Sequence, residues 1–272
     1  MHDLLQFQFF TNAIWAVIII SVASAMIGTY IITRRMVSIT GGITHACFGG
    51  LGLGYYLGIS PVFMAAVFAV TSSMGVEWIA SRYRIREDSA IAVIWSLGMA
   101  LGILFVFLTP GYVPELNGFL FGNILTIGTS DLWAFAAYTV VLVIFFALFR
   151  RTIIACAFDS DFAQVSGLPV RFINYAMTVL VAVCIVLTIR LVGIMLLLSM
   201  VTVPVLIAET WSRRFINIML AAIIISIVSS LGGLLVATII DVPCSAIIVL
   251  LQVALYFVAR IGKDISLKRP IR

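Results

Sequence analysis

The sequence predicts an all-α, polytopic transmembrane helical bundle of about nine spans. The 272-residue chain is 63% hydrophobic and only 10% charged, whereas about 25% of the residues of a soluble domain are charged. Its apolar residues fall into segments close to the ~20 residues that a membrane-spanning helix needs. Because no long polar stretch separates these segments, we expect one transmembrane domain over residues 1–272.

Nine apolar segments follow one another along the chain. They cover residues 12–33, 37–58, 62–80, 90–108, 131–149, 171–189, 191–208, 216–239 and 243–260. Most are separated by short loops that contain basic pairs or a proline. The sixth and seventh almost merge at Arg190, so a broken or short helix there would leave eight full spans.

The basic residues give the bundle an orientation. With nine spans, 15 of the 16 lysines and arginines fall on one side of the membrane, and only Arg190 falls on the other. An excess of basic residues marks cytoplasmic loops. We therefore expect the N-terminus outside and the C-terminus in the cytoplasm. The net charge of +5 is then a topology signal, with contacts to anionic lipid, and it does not indicate nucleic-acid binding.

Two loops are longer than the topology requires. In the outside loop, residues 119–125 are too apolar for a free loop and too short to span, which predicts a short helix at the interface or tucked into the protein. In the inside loop, residues 150–171, Asp159 or Ser160 can cap a short helix that ends at Gly167. Phe158, Phe162 and Val165 give that helix an apolar face.

The second apolar segment contains a regular series of small residues. They recur every four positions, at Gly42, Ala46, Gly50, Gly54 and Gly58. Such a small-xxx-small pattern lets helix backbones approach closely in lipid. It indicates a helix in close contact with its neighbours, whether that contact is plain packing or part of a moving interface.

His45 lies beside this series, about 12 Å into the span from Val37 at 1.5 Å per residue. An ionisable residue at this depth suggests a functional site, and neutral imidazole is a ligand for zinc and iron. The alternative is a histidine hydrogen-bonded to a carbonyl of another helix. Cys47 points elsewhere on the helix, and Asp241 precedes a Val-Pro turn, so both are minor candidates for the same path.

Motifs for soluble catalysis or ATP binding are absent. The only Gly-Lys pair, at Gly262, lacks the rest of a phosphate-binding loop, and neither H-E-x-x-H nor G-x-S-x-G occurs. The four cysteines form no C-x-x-C pair and are interpreted as small apolar residues. We therefore expect no enzyme activity in this chain; if transport uses ATP, a separate subunit hydrolyses it.

Four stretches and a short motif together have a distinctive order and spacing. They are RRMVSITGGITHACFGGLGLG (34–54), LNGFLFGNILTIGTSDLW (116–133), AFDSDFAQVSGLPVRFIN (157–174) and IRLVGIMLLLSMVTVPVLIA (189–208), with the D-x-P from Asp241. In this order and spacing they resemble the membrane permease of the ABC-type zinc/manganese/iron uptake transporters. The resemblance covers nearly the whole chain. Each stretch alone is moderately specific, and together they are strong.

The resemblance implies a subunit of the bacterial inner membrane that works as a homodimer. Each copy would dock one ATP-binding cassette ATPase, and an extracytoplasmic metal-binding protein would deliver the ion. We expect no permanently bound cofactor, and we expect the transported ion to be zinc, with manganese and iron as alternatives. His45 matches the family's metal-path histidine. The cytoplasmic coupling helix lies near 157–168, and the residues expected to couple to the ATPase are Asp159, Asp161, Phe162, Ala163, Gln164 and Gly167.

One position departs from the family pattern. The family has G-D-A-x-x-H-A on this helix, whereas this chain has T-G-G-I-T-H-A, with Gly41 in place of the aspartate. The loss of a hard oxygen ligand favours zinc or iron(II) over manganese. The missing ligand would come from another helix, the second copy or water.

Three other functions remain open from the sequence. A secondary transporter would need more buried charged groups for ion coupling. A membrane-embedded enzyme would need a cluster of catalytic groups at one depth, where only His45 stands. An ABC permease for another substrate, such as a siderophore, shares the architecture and is the nearest rival.

Overall fold

The computed structural model describes residues 8–110, 122, 124 and 127–268. Apart from a 3₁₀ turn at Ile124, the regular structure of this part is α-helical, which confirms the all-α prediction there. The helices are α1 (Gln8–Thr33), α2 (Val37–Leu57), α3 (Pro61–Tyr83), α4 (Glu87–Leu108), α5 (Thr129–Phe158), α6 (Ser160–Val165), α7 (Val170–Trp211), α8 (Phe215–Ile240) and α9 (Cys244–Lys268).

Seven helices within the described residues are long and apolar enough to cross a membrane: α1, α3, α4, α5, α7, α8 and α9. Helix α2 has 21 residues, but its glycines, threonines and His45 lower its mean hydropathy. All nine predicted segments fall in helices, two of them in α7. The number of complete spans and the orientation stay predictions.

Helix α7 is broken near the place where the sequence predicts a break. Its 42 residues would extend about 63 Å as a straight helix, roughly twice the ~30 Å hydrocarbon core. Gly193 interrupts it with φ 80° and ψ 171°, a backbone conformation that essentially only glycine adopts. The interruption lies three residues beyond Arg190, at Gly193. Only a residue without a Cβ adopts this backbone conformation readily, and Gly193 is the glycine nearest to the predicted break.

Helix α5 is longer than the sequence predicts. The predicted span ends at residue 149, but helical structure continues to Phe158, with a local distortion at Phe149 (φ −104°, ψ 16°). Arg150 and Arg151 therefore extend a helix and do not begin a loop. This corrects the predicted inside loop of residues 150–171, whose first nine residues are helical.

The outside loop is described only in part. The short helix predicted within residues 119–125 lies outside the described residues except for Gly122 and Ile124. Gly122 has φ +58°, and a Cβ there would collide with the backbone of Val192 and Gly193. Ile124 is buried, and the Ile127 carbonyl accepts a hydrogen bond from Asn12 (3.4 Å). These residues are packed against the protein.

The chain divides into two compact units that alternate along the sequence. The first comprises residues 1–32, 121–141 and 191–272, and the second comprises residues 33–120 and 142–190. In the first unit, Ala25, Val205 and Ala222 belong to one buried apolar cluster of α1, α7 and α8. In the second unit, α2 packs against α3 and α4. This second unit contains His45.

Candidate functional site

Helix α2 starts and stops within tight turns. Arg35, with φ 59°, lies in the turn that separates α1 from α2. Gly58 ends α2 in the left-handed conformation (φ 68°), and its N–H bonds to the carbonyls of Gly54 and Tyr55. The spacing predicts that Gly58 packs against another helix. In the structure it caps α2, and a Cβ there would meet nothing within 4 Å.

Two members of the small-residue series, Gly42 and Ala46, lie against α4. A Cβ on Gly42 would collide with Ile91, and a Cβ on Gly98 would collide with Ala46. Farther along, a Cβ on Gly52 would lie 2.5 Å from the Gly102 carbonyl oxygen. The two backbones approach because these positions lack larger side chains. This fixes the register between α2 and α4.

Contact with α3 uses the other part of the series. A Cβ on Gly50 would lie 2.7 Å from the Ala65 Cα, and one on Gly54 would lie 2.6 Å from the Pro61 Cα. The first members of the predicted series of small residues therefore contact α4, and the later members contact α3. Helix α2 is enclosed on two sides, as expected for the helix that contains the candidate ligand.

The His45 ring lies on the α4 side of the helix. Its imidazole stacks on the Trp95 indole, with ring centroids 4.6 Å apart and an interplanar angle of 1°. Phe48 flanks it less closely, at 6.2 Å and 17°. His45 Nδ1 is buried and has no hydrogen-bond partner among the described residues. The hydrogen bond to a carbonyl of another helix, which was the alternative to a metal-binding role, is therefore not formed by this nitrogen.

No complete metal site is assembled within the described part of one chain. No group of three or more histidine, cysteine, aspartate or glutamate side chains there is close enough to hold an ion. Gly41, one turn before His45, leaves open space, since a Cβ there would meet nothing within 4 Å. His45 is therefore one prospective ligand that needs others.

The structure describes the surroundings of the two minor candidates, Cys47 and Asp241. Cys47 lines a separate pocket that is otherwise bounded by apolar side chains and Arg190. None of the four cysteines forms a disulfide. Asp241 ends α8 in the left-handed conformation (φ 59°), which agrees with a turn, and it belongs to the other compact unit.

A polar network near the start of α2 was not expected from the sequence. Arg34 donates a hydrogen bond to Asn174 (3.2 Å) and pairs with Glu87 (3.6 Å), while its side chain is only 12% exposed. Nearby in the same unit, Thr178 donates to Glu77 (3.4 Å). The position of Arg34 predicts only a topology signal, because its partners lie 53 and 140 residues away and nothing local indicates them.

The predicted coupling residues surround the short helix α6. Asp159 caps it, because its carboxylate accepts hydrogen bonds from the N–H groups of Asp161 (3.1 Å) and Phe162 (2.9 Å). Gly167 ends it with φ +77°. Asp161, Phe162 and Gln164 are exposed, whereas Ala163 is fully buried. The side chain of Ala163 therefore supports the helix from within and offers nothing to a partner.

An apolar surface is exposed on and beside α6. Phe158, Phe162 and Val165 are 63%, 68% and 90% exposed, respectively. These are the three residues that helical spacing assigns to one face. Two acidic side chains border this face, Asp159 and Asp161. Such a surface can bind a partner through apolar contacts with a charged rim.

Comparison with known proteins agrees with this architecture. The ABC 3 transport family matches residues 6–263. A Chlamydia pneumoniae protein named "probable metal transport system membrane protein" is 36% identical over 238 residues, covering 85% of this chain and 81% of the relative. The manganese transport system membrane protein MntC of Halalkalibacterium halodurans is 29% identical over 257 residues, covering 94% and 88%.

A solved structure has the same fold. PsaBC from Streptococcus pneumoniae, in complex with Fab, matches with a TM-score of 0.82 and 25% identity. The match covers 95% of this chain and 93% of the solved chain. The helical arrangement described above is thus shared over nearly the full length.

Proposed function

The chain belongs to the ABC 3 transport family, and from this we propose that it is the permease subunit of an ATP-driven importer for a divalent transition-metal ion. It is a multi-pass protein of the bacterial inner membrane, with seven apolar helices of spanning length within the described residues. As an ABC permease it is a transport subunit, and the ATPase is a separate subunit. The observation that carries the proposal is the family match over residues 6–263.

The metal is inferred from two arguments. Relatives named for metal transport and for manganese transport support a divalent transition metal. The donor chemistry narrows the choice, because His45 is not accompanied by the carboxylate that the family pattern places at Gly41. An imidazole without a neighbouring oxygen ligand favours zinc or iron(II) over manganese. We propose zinc as the preferred ion, with manganese and iron(II) as competitors.

Three partners complete the proposed transporter. The exposed apolar face of α6 would dock on the ATP-binding cassette subunit. An extracytoplasmic metal-binding protein would deliver the ion, because a single imidazole ligand such as His45 binds a metal ion too weakly to capture it at low concentration. A second copy of this chain would face the first and bring a second His45, which offers one source of the missing ligands.

Reconstitution tests the proposal. Liposomes that contain the permease with its ATPase should accumulate ⁶⁵Zn²⁺ when ATP and the binding protein are supplied. Replacing ATP by a non-hydrolysable analogue should abolish accumulation. Equal uptake by liposomes without the ATPase would contradict the proposal and favour a secondary transporter. ATP-dependent uptake of a metal chelate but not of the free ion would instead indicate a permease for siderophore-like substrates.

A further inference from the structure

We infer that Trp95 is a positioning residue for the metal path, holding the His45 imidazole in the plane in which it can bind a passing ion. The inference rests on the proposed function, because it requires His45 to contact the metal. Trp95 is not part of any motif singled out in the sequence. It is identified by the geometry of its contact with His45.

The packing of α2 against α4 brings the two rings together. Ala46, next to His45, contacts Gly98, which lies three residues after Trp95 and therefore on the same side of α4. The contacts of Gly42 with Ile91 and of Gly52 with Gly102 flank this point on both sides. Since close backbone contacts fix the register, Trp95 is placed opposite His45 by the whole interface.

The ring contact itself is close and parallel. A centroid separation of 4.6 Å with a 1° interplanar angle means that the indole covers one face of the imidazole. The χ2 torsion of histidine has broad minima, so the helix alone does not determine how the ring is tilted. A flat aromatic surface against one face restricts that tilt while leaving the edge of the ring free.

Orientation of a metal-binding histidine usually has another source. The second ring nitrogen normally donates a hydrogen bond to a carboxylate, a carbonyl or water, which fixes the ring. Here Nδ1 is buried with no partner among the described residues, which leaves Nε2 as the nitrogen that can face an ion. The stack on Trp95 takes the place of the missing hydrogen bond, and it keeps the in-plane lone pair of Nε2 in a constant direction.

Trp95 is also accessible enough to report on the site. Trp95 is 41% exposed, so the indole is not fully enclosed by the protein. An ion bound at the imidazole edge would lie within a few ångströms of the indole. A paramagnetic ion such as Co²⁺ should then quench the fluorescence of Trp95.

Transport kinetics of the complete transporter test the positioning role. Losses of orienting groups around a metal ligand commonly weaken metal affinity by about 10- to 100-fold, so Trp95→Leu should raise the KM for Zn²⁺ uptake at least about tenfold. The maximal rate at saturating Zn²⁺ should stay near the original value. Trp95→Phe keeps an aromatic face and should restore KM to within about threefold. A purely structural role would instead lower the maximal rate per cell without changing KM.

A matched control separates this effect from the loss of any tryptophan. Trp78 is 56% exposed and packs edge-on against Tyr83, away from His45. Trp78→Leu should leave KM unchanged. An equal rise of KM in Trp78→Leu and Trp95→Leu would overturn the inference.

Fluorescence provides an independent readout of binding. In a variant that keeps Trp95 and replaces Trp15, Trp78, Trp133 and Trp211 by Phe, Co²⁺ should quench emission in a saturable way, and His45→Ala should abolish the saturable part. If His45→Ala alters KM and quenching but Trp95→Leu leaves KM unchanged, the positioning role fails while the proposed function stands. If His45→Ala leaves KM and quenching unchanged, the ligand role of His45 fails, and the inference fails with it.

Discussion

Gly41 lies one helical turn before His45 on α2, and a Cβ on Gly41 would meet no neighbouring side chain or other described segment within 4 Å. The position at which the family pattern has an aspartate is therefore empty rather than filled by another group. Residues four apart on a helix face each other. A carboxylate introduced at this position could reach an ion held by His45.

Restoring that carboxylate should change metal preference. We expect Gly41→Asp to increase uptake of Mn²⁺ relative to Zn²⁺ by about tenfold, equivalent to about 1.4 kcal/mol, because a hard oxygen ligand suits manganese. Competition between ⁵⁴Mn²⁺ and Zn²⁺ in cells measures the ratio. Gly41→Ala is the control and should leave it unchanged. An unchanged ratio in Gly41→Asp would show that position 41 does not face the ion.

Removal of the imidazole should impair transport without unfolding the protein. His45→Ala is expected to lower Zn²⁺ uptake at subsaturating ion by at least about tenfold, since ligand loss costs no less than loss of a group that orients a ligand. ATPase binding and membrane yield should be retained. Cys47→Ala is the comparison, because the thiol lines a separate cavity, and its uptake should match the original rate. Wild-type uptake by His45→Ala would reject the ligand role.

A charge on the exposed face of α6 should weaken ATPase docking. Phe162 is 68% exposed, and Phe162→Asp should weaken ATPase binding by about 2 kcal/mol, roughly 30-fold, as for a central interface residue. Co-purification from detergent measures it. Tyr83→Asp changes an aromatic residue that is 64% exposed outside α6 and should leave binding intact. Equal losses in both variants would indicate general damage and not docking.

The contact between α2 and α4 should not tolerate added volume. A Cβ at Gly98 would overlap the Ala46 backbone, so Gly98→Ala should lower the free energy of unfolding by about 1–3 kcal/mol, as overpacking does. Denaturation of the purified protein in detergent checks this. Gly262→Ala is the matched change, since a Cβ there meets no atom within 4 Å. If both variants were equally stable, the close approach of α2 and α4 would be wrong.

A buried polar contact joins three helices of the first unit. Gln252 accepts a hydrogen bond from Ser199 (2.6 Å) and donates one to Ser229 (3.3 Å). Interhelical hydrogen bonds in membrane proteins average about 0.6 kcal/mol, so Gln252→Leu should destabilise the protein by about 1 kcal/mol. Ser199→Ala should cost about half as much. The double variant should lose less than the sum, and strict additivity would argue against the contact.

The sequence was informative wherever the signal was local. Apolar length placed all nine segments in helices, and Asp159 and Gly167 marked the ends of α6 through cap chemistry that involves only neighbouring residues. The near-merger at Arg190 pointed to the break in α7. The histidine and the missing aspartate could be identified from one short stretch, because both lie within a single helical turn.

Contacts between helices could not be derived in the same way. In a soluble protein the apolar face of a helix identifies its buried side, but in a membrane both lipid and protein neighbours accept apolar side chains. The pattern therefore did not show which positions of α2 face α4 and which face α3. It also missed three features of other kinds: the burial of Ala163, the continuation of α5 past residue 149, and the role of Gly58 as a helix cap. The partners of Arg34 are likewise distant in sequence.

By itself, then, the sequence determined an all-helical membrane protein with a glycine-rich second helix and one deeply placed histidine. Only the tertiary structure showed that the small residues of α2 contact α4 and then α3, and that the Trp95 indole stacks on the His45 ring. The physical reason is that helix formation depends on residues a few positions apart, whereas the register of α2 on α4 depends on backbone contacts such as that between Ala46 and Gly98, 52 residues apart along the chain.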